Sequence, residues 1–259
     1  MREFDADYLR ETRRGMWADS RAALSDLDLG TRERVLDVGC GEGALTRVLR
    51  EESPGEVVGC DRDADLLAEL EGPTVQGDAY RLPFADDSFD LVVCQALLIN
   101  LPDPGRAIEE FVRVSRERVA CIEPDNGAVT VESSVESEGR LAERARRRYL
   151  EGVDTDVELG ADTAGLLREA GLSDVKTTRY DQTLSIEPPY TDADVTAVGR
   201  KASGAGLRER RETMAGSEEA LDSLRAAWRE MGRTAVEQLK RGEYRREEAV
   251  PFYVVVGRL

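Results

Sequence analysis

The sequence contains no histidine. That absence excludes histidine-based catalytic triads, imidazole metal ligands and imidazole general bases. Proton transfer, where needed, must use Asp, Glu, Tyr, Cys, Lys or water. Lysine is nearly absent too, limited to Lys176, Lys201 and Lys240. The four cysteines, Cys40, Cys60, Cys94 and Cys121, make no C-x-x-C pair, which leaves zinc ribbons and thioredoxin-like redox motifs without support. They fall at or near the ends of expected strands and read as small buried hydrophobes in a reducing compartment. No metal site is expected. No apolar run approaches a bilayer-spanning length. The first residues, MREFDADYLRETRR, lack the apolar core of a secretory signal, so the default location is the cytoplasm.

Acid is what the chain has in excess. Asp and Glu outnumber Lys and Arg 53 to 36, a formal net charge of −17. Such an acidic, lysine-poor composition resembles proteins of high-salt cytoplasm, where carboxylate repulsion is screened. An arginine-favouring codon bias is the plainer alternative. The acidity argues against a nucleic-acid partner, which needs a cationic footprint.

With 259 residues and 41% hydrophobic content, one α/β domain with a full core and a modest cap is expected. The pattern predicts an N-terminal helix over 5–24, carrying Tyr8, Met16 and Trp17, within an N-terminal helical segment 1–30. Strands and helices then alternate. Strands are expected at 34–38, 56–60, 74–76, 90–94, 119–122, 175–186 and 251–257. Helices are marked by Leu45, Val48 and Leu49; by Leu66, Leu67 and Leu70 behind an Asp63 cap; by Ile108, Phe111 and Val112 behind Asp103-Pro104; and by Leu166, Leu167 and Ala170 before Gly171. This alternation calls for a mostly parallel sheet with helices on both faces, whose ligands bind beyond the carboxyl ends of the strands. Two stretches stand outside it, 125–161 and 191–249, and read as helical cap or lid insertions. The second carries Leu221, Leu224, Trp228, Met231, Ala235 and Leu239 at helical spacing.

The most informative segment is VLDVGCGEGALTRVL, 35–49. An apolar strand runs straight into Gly39, Gly41 and Gly43 and then into a helix, whose N-terminus offers free N–H groups. Nicotinamide enzymes share glycine-rich turns, but their spacing is G-x-G-x-x-G, not G-x-G-x-G. Asp37, two residues before the first glycine, would repel a pyrophosphate; it suits a ligand with an ammonium and a sulfonium, such as S-adenosylmethionine. Asp61, ending VVGCD, can accept hydrogen bonds from ribose hydroxyls. Asp78 in QGDA can accept from the amine of adenine.

VLDVGCGEG, VVGCD, GDA-x-x-LPFADDSFDLVVC and LLREAGLSDV together resemble the class I S-adenosylmethionine-dependent methyltransferases of the small-molecule, ubiquinone-biosynthesis-like type, over roughly 30–180. The resemblance implies a Rossmann-like seven-stranded sheet, with strand seven antiparallel beside strand six. It also implies S-adenosylmethionine as cofactor, S-adenosylhomocysteine as product and a small organic acceptor. Carried over by position, Asp37, Gly39 and Gly41 would meet the methionine part, Asp61 the ribose, and Asp78 with Ala79 the adenine, with Cys40 and Arg62 also in the cofactor-binding set. Gln95 would meet the amino-acid end. Two departures stand out. VSRERVACIEP replaces a Lys-Pro-Gly-Gly-like turn before strand five, and QALLINLPDP lacks the histidine that often follows strand four.

Catalytic residues are not assigned by the sequence. Glu123 and Asp125 in IEPDNG are positioned as base candidates, though the segment also reads as a plain turn. Tyr8 and Trp17 can either close over a cofactor or pack on the domain. Arg140, Arg144, Arg146, Arg147 and Arg148 either attract an anionic acceptor or pair with Glu136, Glu143 and Glu151. Two other functions fit less well: an NAD-dependent oxidoreductase, and a non-catalytic cofactor-binding regulator.

Overall fold

The computed structural model describes Trp17 and residues 20–259; Tyr8, Met16 and most of the helix expected over 5–24 lie outside the described residues. The chain divides into two compact units, one from residues 1–125, 158–181 and 251–259, the other from 126–157 and 182–250.

In the first unit a 3-10 helix at Arg21–Leu27 stands where the end of the N-terminal α-helix was expected. The strands follow as β1 (Arg34–Val38), β2 (Glu56–Asp61), β3 (Thr74–Gln76), β4 (Phe89–Gln95) and β5 (Ser115–Pro124). They alternate with helices α1 (Ala44–Glu52), α2 (Ala64–Leu67) and α3 (Pro104–Val114). The order β3-β2-β1-β4-β5 is parallel throughout, and β8 (Arg246–Arg258) runs antiparallel beside β5, with Glu123 opposite Tyr253. β7 (Ser173–Ile186) pairs with β8. Every residue of β4 is buried, as a parallel strand covered on both faces requires. Local chemistry sets the helix ends. The Asp63 carboxylate accepts from the amides of Asp65 and Leu66, and Asp103 caps α3 ahead of Pro104. Leu45, Val48 and Leu49 of α1 and Ile108 and Phe111 of α3 are buried, while Val112 is only half-buried.

The second unit holds β6 (Thr130–Ser133), paired antiparallel with residues 246–249 of β8, and helices α4 (Glu138–Leu150), α6 (Asp192–Ser203), α7 (Ala205–Glu209) and α8 (Glu218–Lys240). The remaining helix, α5 (Thr163–Glu169), belongs to the first unit. Among the described residues, β6 brings the strands to eight rather than seven. Its TVES is short and half-polar, so it carries no strong strand signal. α8 fulfils the long apolar stripe: Leu221, Leu224, Met231 and Ala235 are buried, with Trp228 and Leu239 packed beside them.

Candidate functional site

The site grows from the carboxyl ends of β1, β2 and β3. Beyond β1 the backbone turns through Gly39 at φ +69° and Gly43 at φ +80°, the left-handed region that favours glycine. Space forbids a side chain as well. A Cβ at Gly39 would lie 2.8 Å from Leu97 Cδ1, and one at Gly43 2.8 Å from the Leu70 side chain. The amides of Gly39 and Cys40 both donate to the Cys60 carbonyl, at 2.7 and 3.1 Å. The turn is thereby clipped to the end of β2.

Asp61 completes that clip. Its Oδ2 accepts from the Gly41 amide at 2.9 Å, and its Oδ1 from the Asp63 amide at 3.0 Å. Each oxygen retains further acceptor capacity. Asp61 is in register with Gln76 of β3, so Asp78 lies two residues past its neighbour. Asp78 is exposed, with Oδ1 accepting from the Tyr80 amide at 2.9 Å; Ala79 beside it is buried. Arg62 is exposed, and its carbonyl accepts from Gln76 Nε2 at 2.9 Å.

Asp37 is placed more deeply than its expected role suggests. It is buried, and its Oδ2 accepts from the Thr46 hydroxyl of α1 at 2.6 Å, which braces the glycine turn from below. Cys40 is buried at the turn, and burial, then Asp37, pushes its thiol well above the ordinary range. Cys60 is pushed up to about 12 by burial and then Asp61. All four cysteines are free and buried. Gln95 is buried and its Oε1 accepts from Trp17 Nε1 at 3.3 Å. Trp17 packs on Tyr180 with ring centroids 5.2 Å apart, so it is seated in the first unit's interior.

Sequence reasoning missed the setting of Glu123. Its side chain is fully buried at the end of β5. Oε1 accepts from the amides of Leu97 at 3.1 Å and Leu98 at 2.9 Å, and Oε2 from that of Ile99 at 3.4 Å. Burial raises its pKa to about 7, against the pull of those three amides. Both of its oxygens are thus engaged by loop amides. Asp125 is half-buried, with its amide on the Pro251 carbonyl at 2.9 Å. In the second unit Arg147 and Arg148 pair with Glu151, whereas Arg140, Arg144 and Arg146 have no ion pair among the described residues.

Residues 36–122 match the family described as "Methyltransferase domain". A demethylmenaquinone methyltransferase of Lactiplantibacillus plantarum is 35% identical over 118 residues, which cover 40% of this chain and 50% of that protein. The chain spans about half or less of the length of the curated relatives it matches. Among solved structures, an S-adenosylmethionine-dependent methyltransferase of Archaeoglobus fulgidus aligns with TM-score 0.53 at 17% identity, covering 98% of this chain and 100% of that one. The YcgJ protein of Bacillus subtilis aligns with TM-score 0.52 at 16% identity, covering 92% and 98%. Residues 36–122 therefore match the methyltransferase-domain family, and the chain shares the Rossmann-like α/β fold of the Archaeoglobus methyltransferase.

Proposed function

We propose that this protein is an S-adenosylmethionine-dependent methyltransferase acting on a small organic acceptor. The observation that carries the reading is the clip between the Asp61 carboxylate and the Gly41 amide. It sets an acid with spare acceptor capacity directly beside a glycine-rich turn. The donor set fits the cofactor. Residues 37–43 include two acids and no Lys or Arg, which favours a ligand carrying positive charge over a pyrophosphate.

When bound, the cofactor supplies a methyl group activated by positive sulfur. Asp61, with Arg62 beside it, would hold the ribose, and Asp78 with Ala79 the adenine. Gly39, Cys40 and Gly41 would receive the methionine part, with Asp37 bracing them through Thr46, and Gln95 would meet its amino-acid end. The protein's task is then alignment and exclusion of water rather than bond-making by a side chain. Glu123 and Asp125 are given no catalytic role.

The family match ends at residue 122, ahead of the segments 125–161 and 191–249. We assign acceptor selection to those cap segments, so the quinone named for the Lactiplantibacillus relative does not carry over with the cofactor motifs. The reading also places the protein in a high-salt cytoplasm, with no nucleic-acid partner. Crystals grown with S-adenosylhomocysteine test it. Ligand density along Gly39–Gly43 with the ribose on Asp61 is the expected result; density elsewhere, or none at saturating ligand, would sink it.

A further inference from the structure

We infer that Glu123 is a positioning residue, whose buried carboxylate fixes the loop after β4 and, through Leu97, holds the glycine turn in its ligand-ready form. The inference rests on the proposed cofactor site and adds to it a residue outside the glycine loop.

The loop after β4 has reason to relax without help. Ala96 sits at φ +47°, a left-handed conformation costly for a residue with a Cβ. The next three amides open a short 3-10 turn at Leu98–Asn100, and such first-turn N–H groups lack partners within the turn. Glu123 supplies them. Among the described residues, the Leu97 and Leu98 amides have no other acceptor. Two further bonds frame the loop: the Ala96 amide donates to the Ile122 carbonyl at 2.8 Å, and Asn100 Nδ2 to the Ala96 carbonyl at 2.8 Å.

The consequence reaches the glycine turn through one contact. The Leu97 side chain fills the space that a Cβ on Gly39 would need, approaching that position to 2.8 Å. With the Leu97 backbone held by Glu123, its side chain limits where the Gly39 backbone can go. Released, Leu97 would either swing into the space beside the turn or leave it unsupported. Gln95, immediately before the loop, would shift with it.

Two readouts test the link, taken at a temperature where every variant is folded. Amide hydrogen exchange at Leu97, Leu98 and Ile99 is compared with that at Val35–Val38, and the S-adenosylhomocysteine dissociation constant is measured by calorimetry. Glu123→Ala should expose the three loop amides, leave β1 protected and weaken binding about tenfold or more, as loss of buried hydrogen bonds to the loop entails. Glu123→Gln keeps one acceptor oxygen and should recover part of both effects. Leu97→Ala should weaken binding with Glu123 intact, and adding it to Glu123→Ala should cost less than the two effects combined. Unchanged affinity in Glu123→Ala and Glu123→Gln would overturn the inference while wild-type binding upheld the cofactor site. Exchange rising equally in β1 would also overturn it, since Glu123 would then serve only general stability. Failure of the wild-type protein to bind would instead remove the cofactor reading, and this inference with it.

Discussion

A buried carboxylate must be answered by donors, and at Glu123 three amides answer it without fully offsetting its desolvation. The folded protein therefore keeps that proton up to about pH 7, whereas the ordinary carboxyl value is 4.5. The group favours the fold most below pH 4.5 and progressively less as pH rises through 7. The unfolding free energy of wild type minus that of Glu123→Gln should fall by about 2–3 kcal/mol between pH 4 and pH 8. Urea titrations at several pH values measure this, and a flat difference would mean that the carboxyl is not desolvated as described. Asp61 is only half-buried and splits its two oxygens between the glycine turn and its own loop. Asp61→Ala should weaken S-adenosylhomocysteine binding about tenfold. An unaltered constant would show that the ribose is held elsewhere.

Within the second unit, one glycine and one buried acid stand at contacts between elements. A Cβ at Gly232 of α8 would lie 2.4 Å from the Ala202 amide nitrogen of α6, so the two helix backbones meet at that point. Gly232→Ala should cost about 1–3 kcal/mol by overpacking, readable as a lower denaturation midpoint. Glu138, at the start of α4, is buried among Lys201 of α6, Tyr244, and Arg246 of β8. Burial alone would raise its carboxyl, but the charges of Lys201 and Arg246, with the Ser133 hydroxyl, carry it below the ordinary range. Lys201 is drawn down to about 8, chiefly by burial and then by Arg246. Glu138→Ala would leave two cations inside the unit without their shared partner and should destabilise it by about 3–5 kcal/mol. A loss under 1 kcal/mol would show that water reaches the cluster.

These particulars also show what a sequence discloses. β1 and β3 were legible to the residue, because a short, mostly apolar run ending at Gly39 and a three-residue stretch between Pro73 and Gly77 leave little freedom. The N-caps at Asp63 and Asp103 and the stripe of α8 were legible for the same local reason. β6 was not, since its pairing with residues 246–249 is a long-range event with no local periodicity. Nor was the direction in which Asp37 and Glu123 face. Both were read as acids near a ligand, yet one braces α1 through Thr46 and the other secures the loop after β4. Buried hydrogen bonding of that kind is decided by tertiary neighbours, which no motif spacing encodes.

At the scale of the whole molecule, charge is the dominant property. A formal charge of −17 repels itself in dilute buffer, and salt screens that repulsion. Thermal unfolding should shift upward by several degrees between low salt and molar potassium chloride; a constant or falling midpoint would contradict a high-salt setting. The same acidity would suit the proposed ligand, whose sulfonium and ammonium carry positive charge. The most direct measurement of the central claim is calorimetric titration of the purified protein with S-adenosylmethionine and, separately, with NAD. The account predicts saturable one-to-one binding of S-adenosylmethionine, weakened in Asp61→Ala, and none of NAD. Saturable binding of NAD with no response to S-adenosylmethionine would contradict it.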